Sequence, residues 1–549
     1  MSKSAVVFLL LIAIYFCSIG IDTMDVDASQ YASMSREMSE SGSYLQVYEQ
    51  GNDYLDKPPL LFWLSSLSIT IFGATNFAYK FPSILFAILA LFSTYRFARL
   101  YYEQTIAFWS ALVLGSSQAF FLITNDIRTD TILMSCVITS IWFLSEWYQS
   151  QRMVYFIAGF FAMGLGLLAK GPVAVIVPVL SFGTHFLLKR QFNFIFRWEY
   201  IIGLFVLAVL LLPMSLGLYQ QFDAHPEKTV NGLKNVSGLR FYYWTQSFGR
   251  ITGESVWNNH ASFSFLFENL LWGMLPWTLF FVTGLICQLT SLIKARFRVG
   301  EPQEIITLGG FVLSYCALGI SKYQLPHYIY VVLPFIAIIT ARMIASIYFK
   351  REKPVFKKWI LPVQILVIGS MLTLPFLILV YVFPSAQFFP WILAAAACIL
   401  VSVILLNAKI QHKLLVISLA CIMALNVFMS LWFYPQLLHY QAGNNAGKFI
   451  SRMNIDKNHF YMYQFQGNST SLHFYSRRIV KTINSFETVP DNTYLLTMDE
   501  GLDTIRSSGR LHQIVYQGLD FRVSTLNAGF INKDTRSGVC KKYYIVRLM

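Results

Sequence analysis

Apolar stretches separated by short polar turns repeat along most of the 549-residue chain. A helix of about 17–25 apolar residues is long enough to cross a bilayer. The pattern places thirteen such stretches, at 5–21, 81–100, 105–123, 131–148, 153–169, 171–188, 199–219, 266–291, 303–320, 326–345, 359–383, 388–406 and 412–433. Beyond 433 the hydrophobicity falls to ordinary globular values. There, short β-like runs (His459–Tyr463, Tyr494–Thr497, Tyr543–Leu548) alternate with helical patterns (Ala446–Met453, Thr470–Arg477, Gly501–Ser507). The expected architecture is a polytopic α-helical membrane domain of about thirteen spans over 1–433. A small α/β domain over 434–549 follows, large enough to hold its own core.

Two long polar segments interrupt the spans. The first, 22–80, predicts a helix around 28–40, a turn at Gly51-Asn52-Asp53 and a break at Pro58-Pro59. The apolar run at 60–72 is too short to span and suits the membrane interface. The second, 220–265, is rich in Tyr and Trp. Residues 4–20 have the length of a signal peptide, but no small-x-small cleavage site follows, so an uncleaved first helix is expected.

Composition sharpens the membrane assignment. The chain is 56% hydrophobic and only 13% charged, where a soluble domain carries about 25% charged residues. Mean hydropathy is +0.53. A net charge of +14 suggests a nucleic-acid partner until its location is considered. Lys and Arg cluster in alternate short loops: Arg96 and Arg99, Arg152, Lys189 to Arg197, Lys294 to Arg298, Arg342 to Lys358, Lys409 and Lys413. The intervening loops are acidic or poor in basic residues, and the first carries Asp22, Asp25, Asp27, Glu37, Glu40, Glu49, Asp53 and Asp56. Under the positive-inside rule the N-terminus is cytoplasmic, and the first loop and the tail lie outside, as expected for a multi-pass protein of a bacterial-type inner membrane. The positive charge is topological, and no nucleic-acid partner is expected. Six of the seven cysteines fall in spans, so no disulfide is expected in the tail, where Cys540 stands alone.

Chemistry-bearing residues gather at the outer ends of spans. Carboxylates at a lipid–water boundary resist ionisation through desolvation. Asp25 reads as one more marker of the outer side, Asp27 as functional. The knot Asn125-Asp126-Ile127-Arg128-Thr129-Asp130 has a plain structural alternative, with Asp130 as an N-cap and Arg128 paired to Asp126. Lys57, Lys170, Arg250 and Lys322 all fall at the outer interface, where an anionic lipid headgroup would sit. No Cys or His pair has zinc spacing, and the sequence contains no Walker motif, dinucleotide fingerprint or serine nucleophile elbow.

Asp27 with Tyr31-Ala32 and Arg36-Glu37-Met38, then Asp56-Lys57-Pro58-Pro59, resembles the first periplasmic loop of bacterial aminoarabinose transferases (ArnT). These belong, with the protein O-mannosyltransferases, to the GT-C class of lipid-dependent glycosyltransferases. The similarity continues through Arg128-Thr129-Asp130, Ala169-Lys170-Gly171, Pro276-Trp277 and Leu325-Pro326-His327-Tyr328, and so covers the whole membrane region. The tail resembles the family only in placement.

The resemblance implies a GT-C fold and transfer of a sugar from a polyprenyl (undecaprenyl) phosphate to an envelope acceptor, with inversion. The acceptors it implies are a lipid A-like glycolipid, another envelope glycan or a protein; membrane lipids are the remaining partners. It assigns Asp27 and Asp130 as catalytic, and Lys57, Arg250 and Lys170 to the donor phosphate. Asp56, Tyr31, His327 and Tyr328 are candidate contacts to donor or acceptor. Two positions depart from the pattern: Ala28 replaces the second acid of the family's Asp-Glu pair, and Ser247 stands where a His usually precedes the Arg. The second departure weighs against a divalent metal held by that His and the acid before Lys57; no other cofactor is implied. The rival classes are a transporter or flippase of lipid-linked sugars and a polymerase or ligase of lipid-linked glycans. A transporter places paired charges near the bilayer midplane, whereas here the charges sit at the ends of spans.

Overall fold

The structure is a computed structural model. It describes the chain apart from residues 1–2, 231, 247–248, 250–258, 260, 301–302, 351, 353 and 468. Among the described residues, eight helices are long and apolar enough to cross a membrane, or nine if one bent pair is a single span. The shorter apolar helices Val6–Ser18, Val173–Leu188, Thr278–Lys294 and Ile306–Gly319 fall on four further predicted stretches. Three of the long helices, Phe192–Asp223, Lys358–Val382 and Phe388–Leu406, are apolar yet only 28% buried. Side chains such as Leu204, Leu366 and Leu406 lie bare on their outer faces. In water such a surface would aggregate; against lipid it is the expected one.

Two stretches read as continuous are interrupted. The span at 105–123 bends by 54° between Gln104–Ser116 and Gln118–Asn125. The break falls at a Ser pair, one of the sites where helices kink. There the Ser117 side chain caps the second piece, and the Trp277 indole N–H donates to Ser116 Oγ at 2.9 Å. The stretch at 266–291 divides into Phe265–Gly273 and Thr278–Lys294, with Pro276 in the gap.

The first loop forms the helix Asp27–Ser41, a small hairpin (Tyr48–Glu49 with Asn52–Asp53) and the helix Leu60–Phe72. The second loop braces it: Gln221 Nε2 donates to Val47 O at 2.8 Å and to Asp53 Oδ1 at 2.9 Å. The last membrane helix runs on to Leu438, past the boundary expected at 433.

The tail carries a five-stranded sheet in the order Thr482–Ile483, Phe460–Tyr463, Tyr494–Met498, Lys541–Leu548, His512–Asp520. The first three strands are parallel and the last two join antiparallel. Its helices Ala442–Met453, Thr470–Tyr475 and Asp499–Ser507 lie on the predicted segments. The strand His512–Asp520 was not anticipated from the sequence. It is an edge strand, nowhere fully buried, and without a buried face its residues show no clean alternation. The tail docks on the first loop: Lys448 pairs with Asp22, and the Tyr475 hydroxyl accepts from the Thr23 N–H at 2.8 Å.

Candidate active site

Five segments converge at the outer end of the bundle. Asp27 opens the helix Asp27–Ser41, and Tyr31 lies one turn further along it. Asp56 and Lys57 precede Pro58-Pro59, which end the extended approach to Leu60–Phe72. Asp130 sits in the first turn of Thr129–Ser150, Lys170 ends Met153–Lys170, and His327 and Tyr328 open Pro326–Phe349. All eight of these residues line one cavity of about 190 Å³. Arg250 lies outside the described residues, as do Ser247 and His260. Lys322 is exposed and lies off the cavity wall, which its neighbour Tyr323 joins instead.

The charges in the cavity are interlocked. Lys170 Nζ pairs with Asp130 Oδ1, and its ammonium sits 4.3 Å from the centroid of the Tyr328 ring. Lys57 Nζ lies 2.9 Å from Asp56 Oδ2, and Gln246 Nε2 donates to Asp56 Oδ1 at 3.0 Å. Arg128 Nη1 pairs with Asp27 Oδ2 while its Nε donates to Asp126 Oδ2 at 2.8 Å. Burial alone would lower the Arg128 pKa; the carboxylates of Asp126 and Asp27 more than reverse this and hold it charged. Burial pushes the Tyr31 hydroxyl well above its ordinary value, and the charges of Asp27 and Asp56 push it further. Tyr31 is therefore a neutral hydrogen-bond donor.

His327 connects two of these pairs. Its Nδ1 lies 3.5 Å from Arg128 Nη1 and its Nε2 lies 3.8 Å from Asp130 Oδ2. A guanidinium only donates, so Nδ1 is the acceptor and the ring proton of a neutral imidazole belongs on Nε2, facing Asp130.

One structural alternative is corrected, and a second holds but is incomplete. Asp130 is not an N-cap: that place belongs to Arg128, whose side chain makes no capping bond. The Asp130 carboxylate, 3% exposed, faces Lys170 and His327. Arg128 does pair with Asp126, as its structural alternative held, but it also lines the cavity and holds Asp27. The sequence signal for this was its motif Arg128-Thr129-Asp130; the partner 101 residues away was not legible. Gln30, Thr129, Tyr323 and Leu325 complete the lining and were not singled out as site residues. Among the described residues no group of three or more His, Cys, Asp or Glu is arranged to hold a metal ion.

Chemically the cavity offers three cations (Lys57, Arg128, Lys170) and three carboxylates (Asp27, Asp56, Asp130) on one wall system. Cations in a partly dehydrated pocket stabilise developing negative charge, and Asp27 and Asp56, 36% and 41% exposed, are the open carboxylates beside them.

Residues 56–216 match the family described as dolichyl-phosphate-mannose-protein mannosyltransferase. The chain is 27% identical over 316 residues to an undecaprenyl phosphate-α-4-amino-4-deoxy-L-arabinose arabinosyl transferase of Proteus mirabilis, covering 56% of this chain and 52% of that one. The Edwardsiella ictaluri enzyme of the same name is 27% identical over 314 residues, covering 55% and 52%. The chain thus spans about half the length of the curated relatives it matches. The crystal structure of ArnT from Cupriavidus metallidurans bound to undecaprenyl phosphate superposes over 99% of this chain and 98% of its own, with a TM-score of 0.72 at 16% identity. The chain has the ArnT fold. The apo form of the same ArnT gives a TM-score of 0.67 over 93% of this chain and 95% of its own. The likeness read from the loop motifs therefore holds both in sequence and in fold, and the ArnT fold extends through the tail, where sequence resemblance had stopped at placement.

Proposed function

We propose that the protein is an integral membrane glycosyltransferase moving a sugar from a polyprenyl phosphate to an acceptor outside the cytoplasm. The observation that carries this reading is the gathering of Asp27, Lys57, Asp130 and Lys170, from four separate segments, around one cavity at the span ends. In the reaction the bond from the anomeric carbon to the phosphate oxygen breaks as the acceptor oxygen attacks from the opposite face, with inversion. Asp27 takes the acceptor's proton. Lys57, Arg250 and Lys170 receive the phosphate's developing charge, and Asp130, held by Lys170, sets the second acidic position. His327, Tyr31, Asp56 and Tyr328 shape the contacts to donor and acceptor.

The reading takes thirteen spans and a cytoplasmic N-terminus from the apolar stretches and the positive-inside rule, so that the cavity and the tail lie on the extracytoplasmic side of the inner membrane, within reach of an envelope glycolipid, glycan or protein. The 4-amino-4-deoxy-L-arabinose donor named for the relatives is the first to test. Ala28 and Ser247 depart from the pattern of those enzymes, which weakens the case for their particular sugar and leaves the general lipid-phosphate chemistry intact.

The test is incubation of purified full-length protein with polyprenyl-phosphate sugars and envelope extracts, beside Asp27→Asn. Wild type is expected to transfer label to an acceptor while the variant binds donor without transfer. Equal transfer by both would overturn the role of Asp27. Lipid movement across vesicles with no transfer would put a transporter in its place.

A further inference from the structure

The span Pro326–Phe349 carries His327 in the transfer cavity and Arg342 fifteen residues later, about 22 Å along the helix axis. Around Arg342, at the far end of the bundle, lies a second cavity of about 410 Å³, within the size range of small-molecule sites, about 300–1,000 Å³. By the positive-inside rule this end is cytoplasmic. Its walls come from the ends of several spans, with Arg298, Arg342 and Lys350 supplying positive charge and Glu304 and Glu352 negative charge.

Among the described residues the acids here are engaged, whereas the arginines have no carboxylate partner. Glu304, buried, receives the Tyr102 hydroxyl on Oε1 and the Thr307 N–H on Oε2 at 2.8 Å. Glu352 accepts from Ser346 Oγ at 3.0 Å. Lys350 is paired with Glu103 at 3.0 Å. Arg342 has no carboxylate within ion-pair distance among the described residues; Nη1 donates to Gln288 Oε1 at 2.7 Å and the guanidinium lies 4.9 Å from the Tyr102 ring centroid. These two contacts hold the head against the cavity wall instead of letting it extend freely into water. A guanidinium has five donors, and among the described residues one is used. Arg298, exposed on the same cavity, also lacks a carboxylate partner among the described residues.

A pre-oriented guanidinium with a second arginine beside it matches a phosphate group, and basic pockets between spans on the cytoplasmic side take lipid headgroups. We propose that this pocket binds the phosphate of a membrane lipid from the leaflet opposite the transfer site. The proposal stands apart from the glycosyltransferase reading, since none of its residues lines the transfer cavity.

Cys287 lines the pocket and provides the readout. Full-length protein in nanodiscs of phosphatidylcholine alone is labelled with N-ethylmaleimide, and modification of Cys287 is followed by peptide mass spectrometry, with Cys398 on another helix as the control. Phosphatidylglycerol, undecaprenyl phosphate or inorganic phosphate is then added in separate arms. Slower labelling of Cys287 with either anionic lipid is expected. Arg342→Gln should need about fivefold more lipid for the same protection, the factor carried by one membrane-facing basic charge; Arg342→Lys should need less than Arg342→Gln. Arg298→Gln, an exposed change that leaves the helix packing alone, should shift protection in the same direction. Protection by inorganic phosphate alone would retain the phosphate chemistry and overturn the lipid as its source. No protection by any probe, or protection in both Arg342→Gln and Arg298→Gln equal to that of wild type, would overturn the site.

Discussion

Two carboxylates two residues apart in the first loop face different parts of the molecule. Asp25 is buried against the tail: it accepts from Ser29 Oγ at 2.5 Å, from Thr470 Oγ1 at 3.2 Å and from Ser471 Oγ at 3.4 Å, while its own N–H donates to Gln441 Oε1 at 2.9 Å. Asp27 lies on the cavity wall, partly open, with Arg128 as its partner. Burial pushes the Asp25 carboxyl up to about 6; the hydroxyls of Ser29, Thr470 and Ser471 oppose this, and Asp520 adds to it. One acid ties the first loop to the tail and its near neighbour faces the cavity. The sequence reading of Asp25 as a mere marker of the outer side therefore undervalued it. An acidic loop is not a single signal, and what each carboxylate does depends on what the distant chain brings to it.

The largest effect that separates the two is on rate. Under the proposed function, Asp27→Asn keeps the size of the side chain and removes the base, so transfer should fall by about 10²–10⁴-fold. The partly exposed pair with Arg128 contributes at most about 1 kcal/mol, and Arg128 keeps Asp126. The apparent Tm of the variant should therefore stay close to wild type. A variant that lost stability and rate together would erase the distinction between Asp27 and Asp25.

The next effect is a pH dependence that belongs to Asp25. In the folded protein its carboxyl takes up a proton near pH 6, and in the unfolded chain near its ordinary value of 3.8. Between those values the folded state holds the extra proton, so stability falls as pH rises from about 4 to about 6 and levels off above. The full change from this group is about 3 kcal/mol. Asp25→Asn should flatten that part of the profile, so the difference in apparent Tm between wild type and variant should change across pH 4 to 6 and be constant at higher pH. A difference that is already constant from pH 4 would show that Asp25 is not buried against the tail.

The same contrast marks what the sequence makes legible. Apolar length located a helix for each predicted stretch because lipid exposure forces long uninterrupted runs. It missed the bend after Ser116, where Leu275 and Trp277 reach across from the break between Phe265–Gly273 and Thr278–Lys294. Motif residues found eight lining positions of the cavity, because charges at span ends stand out against an apolar background. Arg128 was divided between two readings, since its nearby acid Asp126 accounts for it locally and Asp27 is far away in sequence. The tie between Asp25 and Thr470, 445 residues apart, left no local trace in either segment. Common Ser and Thr residues carry the tail's side of it.

The smallest effect tests that junction from the tail's side. Tyr475 lies at the end of the helix Thr470–Tyr475, and its hydroxyl accepts from the Thr23 N–H at 2.8 Å and donates to Asn76 Oδ1 at 2.8 Å. Thr23 is fully buried, so Tyr475→Phe leaves its N–H without that acceptor. A neutral hydrogen bond of this kind contributes about 1 kcal/mol, and an orphaned buried donor costs about 1–3 kcal/mol. The ring remains to pack on Phe474, whose centroid is 5.2 Å away, and beneath the Lys448 ammonium at 5.1 Å. The loss should therefore stay within that range. It should appear as faster proteolysis in the tail, with cleavage in the membrane helices unchanged. Transfer should fall far less than in Asp27→Asn, because Thr23 acts on the loop four residues before Asp27. A Tyr475→Phe variant as inactive as Asp27→Asn would mean that the tail sets the position of Asp27 itself, and the two carboxylates would then form one device.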